Sequence, residues 1–340
     1  MLVSDYNYNL PEKNIAIRPP KIRGTTRLLV LNRQTGAITD SKYANLINFL
    51  EPGDLLILND TRVMHSRVFT ELPDGRPREL VVLEKHDGDI DRVMYRGKLH
   101  IGDQLTVKNI ANGSKTNDII TIKEILGNGI ATVTANRELT DIVADYGNVP
   151  LPPYLHRDAD KNDIERYQTV WAKKLGSAAA PTASLNMTKE LIEKLQAKGV
   201  QIKYLTLHVG LGTFLPIRSD NVEEHRMHSE WFQIPTNTIK AIQKTKAAHH
   251  RVIAVGTTVT RTLEYWAKTG KTEGEDDIFI YPGFKFQAID GLVTNFHASK
   301  STVLMLTAAF ASWDHLKPAY EHAINNNYKL LSYGDSMFIC

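Results

Sequence analysis

The sequence predicts an α/β protein whose main domain, built on parallel strands, carries an inserted antiparallel β-barrel or β-sandwich domain. Two observations predict it. From about Pro150 onward, apolar runs of strand length alternate with segments of helical period, as in parallel strands joined by helices. Between about Val63 and Val149 the pattern changes to short β-branched runs separated by Gly, Asn and Asp, as in antiparallel strands joined by turns. The expected division is residues 1–62 with 150–340 as a discontinuous catalytic domain, and residues 63–149 as the insert.

Residues 55–58 read as a buried strand that ends in Asn59-Asp60-Thr61-Arg62, so the insert departs from a strand end. Within the insert, 80–83, 92–95, 119–125 and 131–134 read as strands. Beyond it, 188–198 reads as a helix capped by Thr188 and stopped by Gly199, and 202–209 as a strand ended by Gly210. Residues 236–250 have helical spacing, 252–255 form a short buried strand, and 260–268 are helical with Gly270 as terminator. Segments 278–281 and 292–294 are strand-like and 301–311 and 319–324 helical, so the parallel pattern is expected to persist to the C-terminus.

Composition narrows the class. A chain of 340 residues with 42% hydrophobic content buries a full core. No eighteen apolar residues follow one another, and the first twenty-one carry Asp5, Glu12, Lys13 and Arg18, so neither a signal peptide nor a membrane span is expected. The sole cysteine, Cys340, excludes an intrachain disulfide and a zinc–thiolate cage, and fits a reducing cytoplasm. A net charge of +3 neither demands nor excludes an RNA partner, because phosphate contacts need a local basic surface.

Polar groups gather where predicted strands end, the place where open α/β sheets put ligands. Asp60 and Arg62 follow the 55–58 strand; they are candidate ligand contacts, or a turn cap with its own ion pair. The small-residue loop from Gly176 to Thr188, with Thr182 and Asn186, lets a ligand approach the backbone and offers helix N–H donors to a carboxylate; a tight loop-to-helix junction explains the same residues. His208, Gly210 and Gly212 follow another strand. Two glycines without a third, and Pro216 where a helix would start, argue against a dinucleotide fingerprint but suit backbone contact with an adenosine or an amino acid.

His225, His228 and Glu230 form a titratable cluster suited to acid/base chemistry, and a solvated polar face explains the same residues; they are also metal-ligand types, but the spacing matches no standard zinc helix motif, and a metal-dependent hydrolase would need bound metal there. Thr257 with Arg261, then Tyr281, then Asn295 with His297 and Lys300, each lie just after a predicted strand, which points to one shared crevice.

Taken in order, these motifs closely resemble those of the S-adenosylmethionine:tRNA ribosyltransferase-isomerase family. The most specific stretches are Asn59-Asp60-Thr61-Arg62-Val63, Leu151-Pro152-Pro153-Tyr154, the run from Glu165 to Val170, Leu207 to Thr213, Glu224 to Trp231, Tyr281-Pro282-Gly283 and Asn295-Phe296-His297, spread over nearly the whole chain. The resemblance implies a barrel-like α/β main domain with an inserted antiparallel β-barrel domain, which agrees with the organisation read from the pattern. It also implies transfer of the ribosyl part of S-adenosylmethionine onto an aminomethyl-deazaguanine in the anticodon stem-loop of tRNA, giving epoxyqueuosine, adenine and methionine. S-adenosylmethionine is then a substrate, and no cofactor or metal is implied; the protein is expected in the cytoplasm, away from membranes, as a monomer or weak homo-oligomer.

On this resemblance His208, His228, Glu230 and His297 are candidates for proton transfer. Asp60, Arg62, Thr182, Asn186, Gly210, Gly212, Thr257, Tyr281 and Asn295 are candidates for substrate contact, with Arg261 and Lys300 for its anionic groups. The chain departs from the family's Ala-Pro-Thr-Ala-Gly-Leu-His-Phe-Thr run at Ser184, Asn186 and Met187. An amide at 186 cannot transfer a proton as an imidazole does, and Met187 takes away a ring on which a purine would stack. The alternatives these departures raise are a different adenosyl donor or acceptor, and a non-catalytic tRNA-binding relative. If the departure merely weakens the family's chemistry, Asn186→His would raise turnover.

Overall fold

The computed structural model describes residues 1–83, 91–127, 129–210, 217 and 219–340. It begins with β1 (Arg27–Leu31), β2 (Ile38–Lys42), β3 (Leu55–Asn59) and β4 (Thr61–Val63). There follow β5 (Arg67–Glu71), β6 (Pro77–Val82), β7 (Asp91–Tyr95), β8 (Gln104–Lys108), β9 (Lys115–Gly127), β10 (Ile130–Ala135) and α1 (Leu139–Tyr146). Then come α2 (Lys161–Arg166), β11 (Lys174–Ser177), α3 (Lys189–Ala197), β12 (Gln201–Leu207), β13 (Glu230–Gln233), α4 (Thr236–Ala247), β14 (Val252–Val255) and α5 (Thr257–Thr269). The chain closes with β15 (Glu273–Asp276), β16 (Gly291–Asn295), α6 (Thr302–Ala311), α7 (Trp313–Asn325) and β17 (Ser336–Ile339).

A nine-stranded sheet in the order β15-β13-β12-β3-β14-β16-β17-β1-β2 forms the α/β body. Its centre, β12-β3-β14-β16, is parallel. These strands are apolar on both faces because helices cover both, and their side chains alternate between two cores. Leu55, Ile57, Val252, Ala254 and Leu292 enter the core under α5, α6 and α7, while Leu56, Leu58, Ile253, Val255 and Val293 enter the one under α3. The second sheet, β10-β7-β6-β5-β8-β9, is a closed antiparallel barrel, its core plugged by Leu139 and Ile142 of α1. A two-stranded pair, β11 with β4, lies where the chain leaves and re-enters the α/β body. Among the described residues no helix is long and apolar enough to cross a membrane.

The structure corrects three expectations. The parallel pattern does not persist to the C-terminus: β17 runs antiparallel to β16 and parallel to β1, whose run Arg27–Leu31 the pattern reading left unassigned. Residues 278–281 are not a strand. The strand lies earlier, at β15, and the Asp276 carboxylate accepts from the Ile278 N–H, a local turn that ends extended pairing. Finally, α7 begins at Trp313, six residues before the expected 319, because Pro318 inside it obscured the first turn.

One buried carboxylate fastens the segment before β11 to the chain's last turn. Asp163, 1% exposed, receives two hydrogen bonds from Arg157 at 2.6 and 2.8 Å, one from the Tyr333 hydroxyl at 2.6 Å and one from the Asp160 N–H. Burial opposes its ionisation, but Arg157 and Tyr333 outweigh it and hold the carboxyl below its usual range. Removing one member of such a network strands the others. Asp163→Ala is therefore expected to destabilise the fold by about 3–5 kcal/mol in urea denaturation.

Candidate functional site

The strands β14 and β16 end side by side, and the loops after them wall a cavity of about 200 Å³ that opens to solvent. One wall is the small-residue run 179–183, whose lack of bulk leaves the space. A second is the start of α5, where Gly256, Thr257 and Thr258 face the cavity. A third is the loop 294–301, and Tyr154 with Leu331 and Ser332 closes the far side. Tyr154 and Ser332 hydrogen-bond to each other through their hydroxyls.

Gly256 fixes the second wall. Its φ is +101°, a region L side chains rarely adopt, and its N–H donates to the Val293 carbonyl at 2.7 Å. The chain thereby leaves β14 and enters α5 with a single residue between them. The first-turn N–H groups of α5 have no intrahelical partners, and no side chain caps them.

His297 sits in the third wall. Its Nε2 is 2.8 Å from the Thr294 hydroxyl, and its own backbone N–H and C=O bind the hydroxyls of Tyr320 and Tyr8. Desolvation lowers its pKa to about 3, so the imidazole is neutral at ordinary pH. Lys300, exposed and with a positive φ of 58°, stands at the rim.

Of the sequence-derived candidates, the cavity gathers Thr182, Thr257, Asn295, His297 and Lys300. The others lie elsewhere, mostly with partners of their own. His208 is buried against Gly176, stacks on Trp231 at 5.2 Å and meets the Thr61 hydroxyl at 2.8 Å through Nδ1. Burial first, and Lys174 second, lower its pKa to about 4. Glu230 accepts from the Gly210 N–H at 2.7 Å and from Arg261 at 2.8 Å, and Arg261 also donates to the Asp276 carbonyl. These side chains hold β13, β15 and α5 together, so Glu230 is an ion-pair partner here and not a free base. Arg261, 6% exposed, lines only a smaller recess next to the cavity.

Asp60 accepts from the Thr206 hydroxyl at 2.7 Å instead of pairing with Arg62, which is exposed. Arg62 lines a separate cleft of about 640 Å³ between β4, β11 and the barrel, together with His65 and Lys173. Tyr281 packs on Phe279, and Phe279 on His225. His228 is half-buried in the segment before β13. Gly212 lies outside the described residues. Among those residues no three His, Cys, Asp or Glu side chains gather as a metal cage. Sequence reasoning passed over Tyr154, Thr258 and Ser332; only the Leu-Pro-Pro-Tyr stretch pointed at the first.

The family described as queuosine biosynthesis protein matches residues 3–339. The chain belongs to this family. Among relatives named S-adenosylmethionine:tRNA ribosyltransferase-isomerase, the protein from Chlorobium phaeobacteroides is 53% identical, that from Pelodictyon phaeoclathratiforme 52% and that from Francisella tularensis subsp. novicida 42%, each over the full length of both chains. A crystal structure of S-adenosylmethionine tRNA ribosyltransferase from Thermotoga maritima is 30% identical and superposes with a TM-score of 0.56 over 99% of this chain and 100% of that one.

Within this queuosine biosynthesis family member, the three departures are all buried outside the cavity wall. Met187 is fully buried in the core that also holds Leu58, Val255 and Val293. Asn186, 3% exposed, donates to the Gly334 carbonyl at 2.9 Å and the Ser336 hydroxyl at 3.2 Å, tying the small-residue loop to β17. Asn186 thus stands outside the cavity wall, joined to the chain's own last turn. Asn186→His is expected to lower stability by roughly 1–3 kcal/mol, by overpacking and loss of both bonds, with no gain in turnover. Thermal melts beside single-turnover assays test this.

The two buried imidazoles also make a pH prediction. Their ordinary value is 6.5 and their folded values are about 4 and about 3. Between these limits the unfolded chain binds protons that the folded chain refuses, so their contribution to stability is complete above pH 6.5 and declines as pH falls. His208→Gln, which keeps a partner for Thr61, should therefore lose less stability than wild type between pH 7 and pH 5 in matched urea titrations.

Proposed function

We propose that this protein transfers and isomerises the ribosyl group of S-adenosylmethionine onto 7-aminomethyl-7-deazaguanine in tRNA, yielding epoxyqueuosine, adenine and methionine. The reading is carried by full-length identity of 42–53% to enzymes of that name, together with a cavity at the strand ends that the departures at 184, 186 and 187 leave untouched. S-adenosylmethionine serves as substrate, and no cofactor or metal is invoked.

The sulfonium acidifies the adjacent C5′ hydrogens, so loss of one proton gives a carbanion able to attack the deazaguanine ring. His297 is the group best suited to move that proton. It is neutral, lines the cavity and is held by Thr294. Once protonated it stands in the same cavity as the departing adenine, to which it can return the proton. The methionine carboxylate is assigned to the unpartnered first turn of α5, with Lys300 at the rim.

The RNA must unstack its target base to reach the cavity. Its phosphates are assigned to the cleft beside the barrel, where Arg62 and Lys173 have no ion-pair partner among the described residues. Residues 63–149 would then act as a domain that helps hold the RNA against the remaining chain. The protein is assigned to the cytoplasm, as a monomer or weak homo-oligomer.

Incubation with S-adenosylmethionine and tRNA carrying the aminomethyl-deazaguanine, followed by nucleoside mass spectrometry, should yield epoxyqueuosine with stoichiometric adenine. Neither product, from folded protein that binds S-adenosylmethionine, would overturn the reading in favour of another acceptor. His297→Asn should lower turnover by about 10²–10⁴-fold while S-adenosylmethionine affinity changes little. Arg62→Ala should weaken tRNA binding and lower its salt slope by about 1 without affecting S-adenosylmethionine.

A further inference from the structure

Most polar side chains around the cavity already have partners. Tyr154 has Ser332, His297 has Thr294, Ser299 binds Tyr8, and Ser301 caps the Leu304 N–H. Asn295 is the contrast. It is 2% exposed at the end of β16, it lines the cavity, and neither its Oδ1 nor its Nδ2 has a hydrogen-bond partner among the described residues. Beside it the Thr258 hydroxyl is buried and unpartnered as well. A buried amide with both ends unmatched is costly, and such groups persist where something other than the folded chain satisfies them.

The chemistry of the amide indicates what that is. A carboxamide presents one acceptor and one donor in a plane, which complements the 6-amino donor of adenine and its neighbouring ring-nitrogen acceptor. The surrounding wall of Ala179, Ala180, Val209 and Phe296 is apolar, as a purine face requires. Resting on the S-adenosylmethionine reading above, we infer that Asn295 is the specificity-determining residue for adenine, pairing with its amino edge and steadying the base as it leaves. Donation from Nδ2 to a ring nitrogen draws electron density from the purine as the bond from N9 to the sugar breaks and its electron pair stays on adenine.

The test uses the full chain, titrated by calorimetry with S-adenosylmethionine and with its analogue lacking the purine 6-amino group. Wild type should prefer the amino-bearing ligand by roughly tenfold or more, and Asn295→Ala should bind both alike. Asn295→Asp, which keeps an acceptor but loses the donor, should weaken both. Because Asn295→Ala removes an unmatched polar group, its melting temperature without ligand should not fall, while the rise on adding S-adenosylmethionine should shrink. An Asn295→Ala protein that keeps the wild-type preference overturns the assignment alone. One that melts lower and keeps the preference identifies Asn295 as structural. Failure of wild type to bind S-adenosylmethionine at all overturns the reading beneath the assignment and the assignment with it.

Discussion

The turn at Gly256 is the constraint on which the rest of the site depends. Because its φ is +101° and its N–H is committed to the Val293 carbonyl, α5 starts at the next residue. Thr257 and Thr258 then have nowhere to go but the cavity wall, and one turn later Arg261 faces β13 and β15. A slower exit from β14 would carry all three side chains away from these positions. The same single residue links a β-strand buried on both faces to a helix whose free N–H groups face solvent-filled space.

Around that turn the molecule separates rigidity from chemistry. Arg261, Glu230 and the Gly210 N–H form a buried ionic clasp beside the cavity, and Asp163 with Arg157 and Tyr333 forms another beneath its far wall. Neither clasp is needed to line the cavity. Buried pairs of this kind add little net stability, but breaking one strands a charge, so they fix register between elements far apart in sequence. The cavity itself is lined with small or uncharged groups apart from Lys300.

Much of this was legible in the sequence. Binary pattern located β3, β14 and β16 within a residue, because each is a short apolar run closed by Gly, Asn or a polar loop. The convergence of Thr257, Asn295 and His297 could be read from their common position after strands. What pattern could not separate was a titratable residue that faces a cavity from one that holds a sheet together. Glu230 and Arg261 stood out because they are charged and sit in a dense cluster, and the structure pairs them with each other across two elements. Asn186 and Met187 stood out through their departure from family usage, and only tertiary contacts reveal that both are buried outside the cavity wall. The placement of β1 at the sheet's far half escaped notice because β1 pairs with β17 across the length of the chain, a relation no local window contains.

That pairing has a consequence for synthesis. The Arg27 N–H donates to the Asp335 carboxylate across 308 residues, and β1 lies alongside β17. Contacts of such long range are reached slowly and only after the intervening chain has emerged. Leu331 and Ser332, which close one side of the cavity, come from the same late stretch. A nascent chain that has already made β3, β14 and β16 thus carries an open, unfinished cavity, and ligand affinity should appear on the ribosome only as the last strand docks.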